Sequence, residues 1–302
     1  MHQSPLQPII LPQTEKAGVQ LYLKRDDLIH PLYGGNKIRK LKYNVQQCLR
    51  EGKIGLLTCG GAYSNHIIAT AAYGKEHGLK TKAIIRGEEL LIDNPTLKDA
   101  AALGMEFVFV SRETYRSIRE QNALAFDLSK SNYNEWYFIP EGGTNAFAVE
   151  GIAELVAEIE IPFDYIATPC GTGGTFAGLM KGIKVYSPWR TKLLVFSALK
   201  NGNYIIDEVA ELLKADFDRT TLELFTSEYV FGGYGKVKPE LIAFVKSFEH
   251  QTGILLDPIY NGKMMFGLLG KIESGYFKKG SVIVAIHTGG IQAWRGFNNN
   301  FT

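Results

Sequence analysis

Tyr165–Gly182 reads YIATPCGTGGTFAGLMKG: an apolar, β-branched run, a turn of glycines and threonines, then apolar residues at helical spacing. A buried strand that ends in such a turn and feeds a helix is half of a βαβ unit. Leu56–Ala72, LLTCGGAYSNHIIATAA, repeats the plan. Two copies do not make a solenoid. They predict two α/β sheets, each with a ligand-facing loop at the carboxyl end of a strand, where open α/β sheets bind ligands. Working outward, strands are expected at 55–59, 82–85, 107–110, 135–139, 165–168, 193–198 and 281–286. Helices are expected after Asn36 within the stretch 34–52, from Ser64 into SNHIIATAAYGKEHG, at 94–103 and at 148–159. Short buried strands between such helices give mostly parallel sheets.

The 302 residues suffice for two modest domains with real cores. Basic and acidic residues number 33 and 31, a net charge of +2. That balance argues against a protein built to bind nucleic acid or anionic membrane. No run approaches the roughly 18 apolar residues of a membrane helix. The start, MHQSPLQPIILPQ, lacks the basic n-region of a signal peptide. Cys48, Cys59 and Cys170 are too few, and odd in number, for a disulfide framework, so a reducing, cytoplasmic setting is expected. The scattered histidines show no metal-binding spacing, and no metal is expected.

Four patterns carry chemistry. In GGNKIRKLKYNVQQCLREG, Ile38, Leu41, Val45 and Cys48 form a helical stripe, and Asn36 is placed to cap it. Lys37 then falls in the first turn. There the helix dipole, with Arg39 and Lys40 nearby, is expected to lower its pKa, as amine nucleophiles require. A solvated lysine at a charged helix start is the plainer alternative. Gly171, Thr172, Gly173, Gly174 and Thr175 offer backbone N–H groups and hydroxyls at a helix start, a set that fits one phosphate monoester. A tight turn without a ligand is the alternative. Phe176 stands where a dinucleotide fingerprint needs Gly or Ala. Ser64, Asn65 and His66 follow Gly60-Gly61, suited to a substrate carboxylate or a cofactor hydroxyl, or simply to capping the helix. Tyr234 and Tyr260 lie in glycine-flanked loops. His287 ends a strand and reads as a packed histidine rather than a base.

Together these patterns resemble the 1-aminocyclopropane-1-carboxylate deaminase and D-cysteine desulfhydrase family, pyridoxal-phosphate enzymes of fold type II related to tryptophan synthase β. The resemblance spans nearly the whole chain: KRDDL at 24–28, GGNKIRKL at 34–41, SNH at 64–66, IPEGGTN at 139–145, CGTGGTFAG at 170–178, DPIYNGK at 257–263 and HTGG at 287–290. It implies two three-layer α/β domains with pyridoxal 5'-phosphate in the cleft between them. The large domain is expected at 1–42 with 148–302, and the small one at 43–147. Lys37 matches the lysine that carries the cofactor as a Schiff base. Lys40 matches a phosphate contact, and Gly171 to Thr175 the phosphate loop. Ser64 and Asn65 match residues at the substrate carboxylate and the cofactor ring, with His66 beside them. Tyr234 and Tyr260 match the tyrosines over the site.

The branch is read beside the pyridine nitrogen. Deaminases of the family place a glutamate after the second tyrosine and a leucine after the histidine of the last motif. Here Asn261 and Thr288 stand there. Neither can hold the ring nitrogen protonated by charge. A weaker electron sink suits elimination of a good leaving group such as sulfide. The resemblance therefore implies α,β-elimination from a small amino acid, D-cysteine to pyruvate, sulfide and ammonia, by a homodimer. Desulfhydrases usually carry Thr at 261, so substrate and handedness stay open. The rivals are a true deaminase and a non-catalytic cofactor-binding relative. A nucleotide-dependent oxidoreductase is opposed by Phe176 and by the absence of an acid near Lys192.

Overall fold

Two sheets carry the chain: the buried runs just described supply all four strands of one and three of the six of the other, whose strands at 6–9, 20–24 and 222–226 were not expected. In the computed structural model residues 3–30, 33–87, 93–120 and 133–297 are described; of the N-terminal stretch, Met1 and His2 lie outside them. The chain divides into two compact units, Met1–Asn36 with Ile152–Trp294, and Lys37–Gly151 with Arg295–Thr302. The first joint falls at Asn36/Lys37 and the second at Gly151/Ile152, beside the expected joints at 42/43 and 147/148.

In the first unit the strand order is β1 (Leu6–Ile9), β2 (Gln20–Lys24), β10 (Val282–Ile286), β7 (Tyr165–Cys170), β8 (Lys192–Ser197) and β9 (Leu222–Thr226). Only the β1–β2 pair is antiparallel. Ala167, Leu194, Phe196, Ile283 and Ala285 face one apolar cluster with α9 (Pro239–Thr252) and α10 (Asn261–Glu273). Their neighbours Ile166, Leu193, Val195 and Val284 are equally buried and point the other way. That face receives α7 (Gly174–Tyr186), packed on β7 and β8. A helical layer on each face explains why these strands read as continuous apolar runs.

The second unit holds four parallel strands ordered β5 (Met105–Val110), β4 (Lys80–Arg86), β3 (Gly55–Gly61) and β6 (Trp136–Ile139). Ala83 and Ile85 pack against α3 (Asn65–Glu76) and α4 (Pro95–Ala102). On the opposite face Leu57, Cys59 and Ile84 pack against Tyr115 and Ile118 of α5 (Arg112–Glu120). The expected stripe of α2 (Asn36–Arg50), Ile38, Leu41, Val45 and Cys48, is buried. All three cysteines are buried, and none is in a disulfide. Burial pushes the Cys48 thiol up to about 11 and the Cys59 thiol up to about 12, so neither is poised as a thiolate. Among the described residues no helix is long and apolar enough to cross a membrane.

The KRDDL stretch proves to be scaffold. Lys24, 1% exposed, donates to the Ser4 carbonyl (2.6 Å) and pairs with Glu158 (2.7 Å). Ser4 Oγ donates to the buried Asp26 (2.7 Å), and Arg25 forks onto Asp27. Removing one partner of such a buried set would leave an uncompensated charge. The Lys24 carbonyl accepts the His287 N–H, which fixes the start of HTGG.

Candidate active site

In the first unit, β7 runs into the Gly171–Thr175 turn. Gly173 takes the left-handed conformation (φ 78°) and heads α7 with no side-chain cap. The leading N–H groups of this 13-residue helix therefore lack both intrahelical partners and a capping side chain. Asn36 Nδ2 donates to Thr175 Oγ1 (2.8 Å), and the Asn36 N–H donates to the Thr288 carbonyl (3.2 Å). The expected cap of α2 is thus its first helical residue, with its side chain turned to Thr175. Gly35 bridges Gly289, and a Cβ on either would collide with the other strand's backbone. The turn ahead of Lys37 is held between the HTGG backbone and Thr175.

Tyr260 closes the near side of the loop: a Cβ at Gly171 would stand 3.1 Å from its hydroxyl. That hydroxyl donates to Tyr234 (3.2 Å), with the rings edge to face at 5.9 Å. Lys263 holds the turn before Tyr234, donating to the Val230 and Gly233 carbonyls, both at 2.9 Å. Burial lowers its pKa to about 8.

Beside Tyr260 a buried relay leads to Thr288. Asp257 accepts N–H bonds from Ile259, Tyr260 and Asn261, and a 2.5 Å bond from Asn261 Nδ2. Asn261 Nδ2 also donates to the Gly289 carbonyl (2.9 Å). Its Oδ1 accepts from the Thr288 N–H (2.9 Å) and hydroxyl (3.2 Å). All four hydrogen-bonding positions of the Asn261 amide are filled. Thr288 gives its hydroxyl hydrogen to Asn261 and keeps lone pairs to offer. Burial raises the Asp257 carboxyl above its usual range, against the pull of these donors. His287 is packed as expected. Nε2 donates to the Leu255 carbonyl (2.9 Å) while Nδ1 accepts from the Gly289 N–H (3.2 Å), so its 3.6 Å approach to Asp27 is not an ion pair.

The second unit collects Lys37, Lys40, Ser64, Asn65 and His66. Lys40 Nζ donates to the Gly142 carbonyl at 3.0 Å, and half-buried Lys37 reaches the same oxygen at 3.4 Å. That carbonyl belongs to the IPEGGTN turn. A reciprocal amide pair pins the turn to α2: Asn145 Nδ2 donates to Asn44 (2.6 Å) and Asn44 returns the bond (3.2 Å). Asn145 also caps α6 (Ala146–Ala157) by accepting the Ala148 N–H (2.9 Å). Ser64 caps α3 by accepting the His66 N–H (3.2 Å), so its own hydroxyl hydrogen stays available to donate. Asn65 is the first residue of that helix.

His66, 1% exposed, has a fixed tautomer. Thr58 Oγ1 donates to the Ile139 carbonyl (2.8 Å) and so accepts from His66 Nε2 (2.8 Å). Nδ1 is then a bare acceptor, buried, without a hydrogen-bond partner, and lying against Gly143. Burial first, then the charges of Lys37 and Lys40, hold His66 well below the usual histidine range.

The family described as pyridoxal-phosphate dependent enzyme matches residues 2–289. The chain belongs to that family. A Pyrococcus horikoshii protein provisionally named 1-aminocyclopropane-1-carboxylate deaminase is 33% identical over 92% of this chain and 86% of its own length. A mitochondrial Arabidopsis thaliana protein, named bifunctional D-cysteine desulfhydrase/1-aminocyclopropane-1-carboxylate deaminase, is 32% identical over 91% of this chain and 73% of its own. A crystal structure of a deaminase homologue superposes with a TM-score of 0.84 at 28% identity, covering 100% of this chain and 93% of that one. The fold is that of a type II pyridoxal-phosphate enzyme. The residues fit the cofactor. The uncapped start of α7 with Thr172 and Thr175 is a donor set for a phosphate dianion, and Gly173 keeps that turn free of a Cβ that would meet Val209 at 2.8 Å.

Sequence reasoning missed the Asp257 relay, the Gly142 carbonyl and the Asn44–Asn145 pair. Asp257 alone left a local signal: an aspartate before proline at a helix head is a capping signature. The others depend on contacts across the fold.

Proposed function

We propose that this enzyme catalyses pyridoxal-phosphate-dependent α,β-elimination from a small amino acid, converting D-cysteine to pyruvate, sulfide and ammonia. The observation that carries the reading is the Asn261–Thr288 pair. Asn261 is fully engaged in the scaffold, and Thr288 presents an uncharged acceptor where deaminases of the family have a carboxylate nearby. Bound, the cofactor supplies the electron sink for a carbanion at the substrate Cα. Lys37 would hold the cofactor through its amine, and the same amine is the group placed to take the substrate Cα proton. The loop from Gly171 to Thr175 holds the phosphate, with Lys40 adding charge. Ser64 donates its hydroxyl hydrogen to the substrate carboxylate, Asn65 orients carboxylate and ring, and His66 Nδ1 accepts one hydrogen bond on the same side. Tyr260 or Tyr234, joined by a hydrogen bond, positions or protonates the departing sulfur.

A deaminase is the second reading, favoured by the names of the relatives, one of which names both activities. Incubation with D-cysteine, L-cysteine and 1-aminocyclopropane-1-carboxylate separates the two. Sulfide and pyruvate from D-cysteine, without α-ketobutyrate from the cyclopropane, is expected; the reverse pattern overturns the proposal. The reading includes a cytoplasmic homodimer, which light scattering tests for assembly.

A further inference from the structure

We infer that the second unit carries a separate site for a multivalent phosphate anion, built from Arg86, Arg112, Arg116 and Arg119. The four side chains and Tyr115 line one open cavity of about 430 Å3, within the usual range of ligand pockets, roughly 300–1,000 Å3. Arg86 is the last residue of β4, and the other three project from one side of α5, beside the face that buries Tyr115 and Ile118. The cavity therefore stands at the carboxyl ends of parallel strands. There β4 ends, β5 hands over to α5, and Arg86 lies in register with Gly61 of the loop leading to Ser64. This is the edge where parallel sheets bind ligands.

None of the four guanidinium groups makes a hydrogen bond or ion pair with a described residue, and no described carboxylate lines the cavity. They stay charged at every physiological pH and repel one another. With a net charge of only +2, the cluster is a local concentration rather than a reflection of overall basicity. Planar forks at this density suit bidentate capture of phosphate oxygens. The Tyr115 ring is buried beneath Arg86, 5.3 Å from the guanidinium carbon, which leaves no free aromatic face for a base. The chemistry selected is a di- or triphosphate group, inorganic or at the end of an organic ester. This goes beyond the elimination reading and stands whichever amino acid is the substrate.

Calorimetric titration of the cofactor-saturated protein with pyrophosphate and with inorganic triphosphate tests the site. Expected is one equivalent bound, more tightly for triphosphate, with affinity falling as potassium chloride rises and no change in cofactor absorbance. Arg112→Ala with Arg116→Ala should weaken binding at least about tenfold, and Arg116→Lys should also weaken it, since Lys cannot fork. Circular dichroism and cofactor content should match the parent. Absence of heat with either anion, binding unaltered in the double variant, or release of the cofactor on titration would each overturn the inference. A nucleoside triphosphate binding much more tightly than triphosphate itself would contradict the absence of base recognition.

Discussion

The molecule contains the same local device twice, and the two copies are finished differently. At Gly60–His66 the strand β3 enters α3 through a turn whose serine caps the helix from within. At Cys170–Thr175 the strand β7 enters α7 through a left-handed glycine with no capping side chain. A helix that caps itself has spent part of its anion-binding capacity; one that does not keeps its first N–H groups for a ligand. Similar sequence patterns thus suit different tasks: the uncapped start for a phosphate, the capped one for a single outward hydroxyl beside a buried neutral histidine.

The largest effect expected from this contrast is in glycine substitutions. Gly173→Ala forces a Cβ onto a left-handed residue and against Val209, and should lower cofactor affinity at least about tenfold. Gly61→Ala meets only the end of the Arg86 side chain, at 3.4 Å, and should leave that affinity unchanged. Equilibrium dialysis of both variants decides whether the two loops really differ. Next comes Ser64→Ala, which should remove about 1 kcal/mol of helix-cap stability and raise KM with cofactor content unaltered. Thermal denaturation and steady-state kinetics check the two parts, and lost cofactor would blur the contrast.

A further effect appears in acid. His66 titrates lower in the folded chain than in the unfolded one, where it lies near 6.5. Below that value the unfolded state binds more protons, so the contribution present at neutral pH is lost as pH falls. The slope should approach 1.4 kcal/mol per pH unit at most. Comparing urea denaturation of wild type and His66→Gln between pH 7.5 and 5 reads it, as a shallower fall in the variant.

Legibility in the sequence followed the same physics. β3, β4, β7, β8 and β10 were readable because strands covered on both faces become unbroken apolar runs. The N-terminal pair β1–β2 was not, since Gln7 and Pro8 interrupt the edge strand β1 and Gln20 opens β2 with a polar residue. Nor was α10, where Gly262, Gly267 and Gly270 mimic a loop; the first two allow close packing, a Cβ at Gly262 meeting the Asp257 carbonyl and one at Gly267 meeting Tyr229. In the site, Lys37, Ser64 and the glycine–threonine turn announced themselves by residue type. Asn261 read as a bare departure from the family pattern. Its role emerged only from four hydrogen bonds, which link residues separated by up to 28 positions.

The assignment of Lys37 as the covalent anchor is tested most directly by reducing the cofactor-loaded protein with borohydride and mapping the labelled peptide by mass spectrometry. The pyridoxyl-phosphate mass is expected on Lys37 alone, with label and visible absorbance both lost in Lys37→Ala. Label on Lys40, Lys263 or any other lysine, or absorbance unchanged in Lys37→Ala, would contradict it.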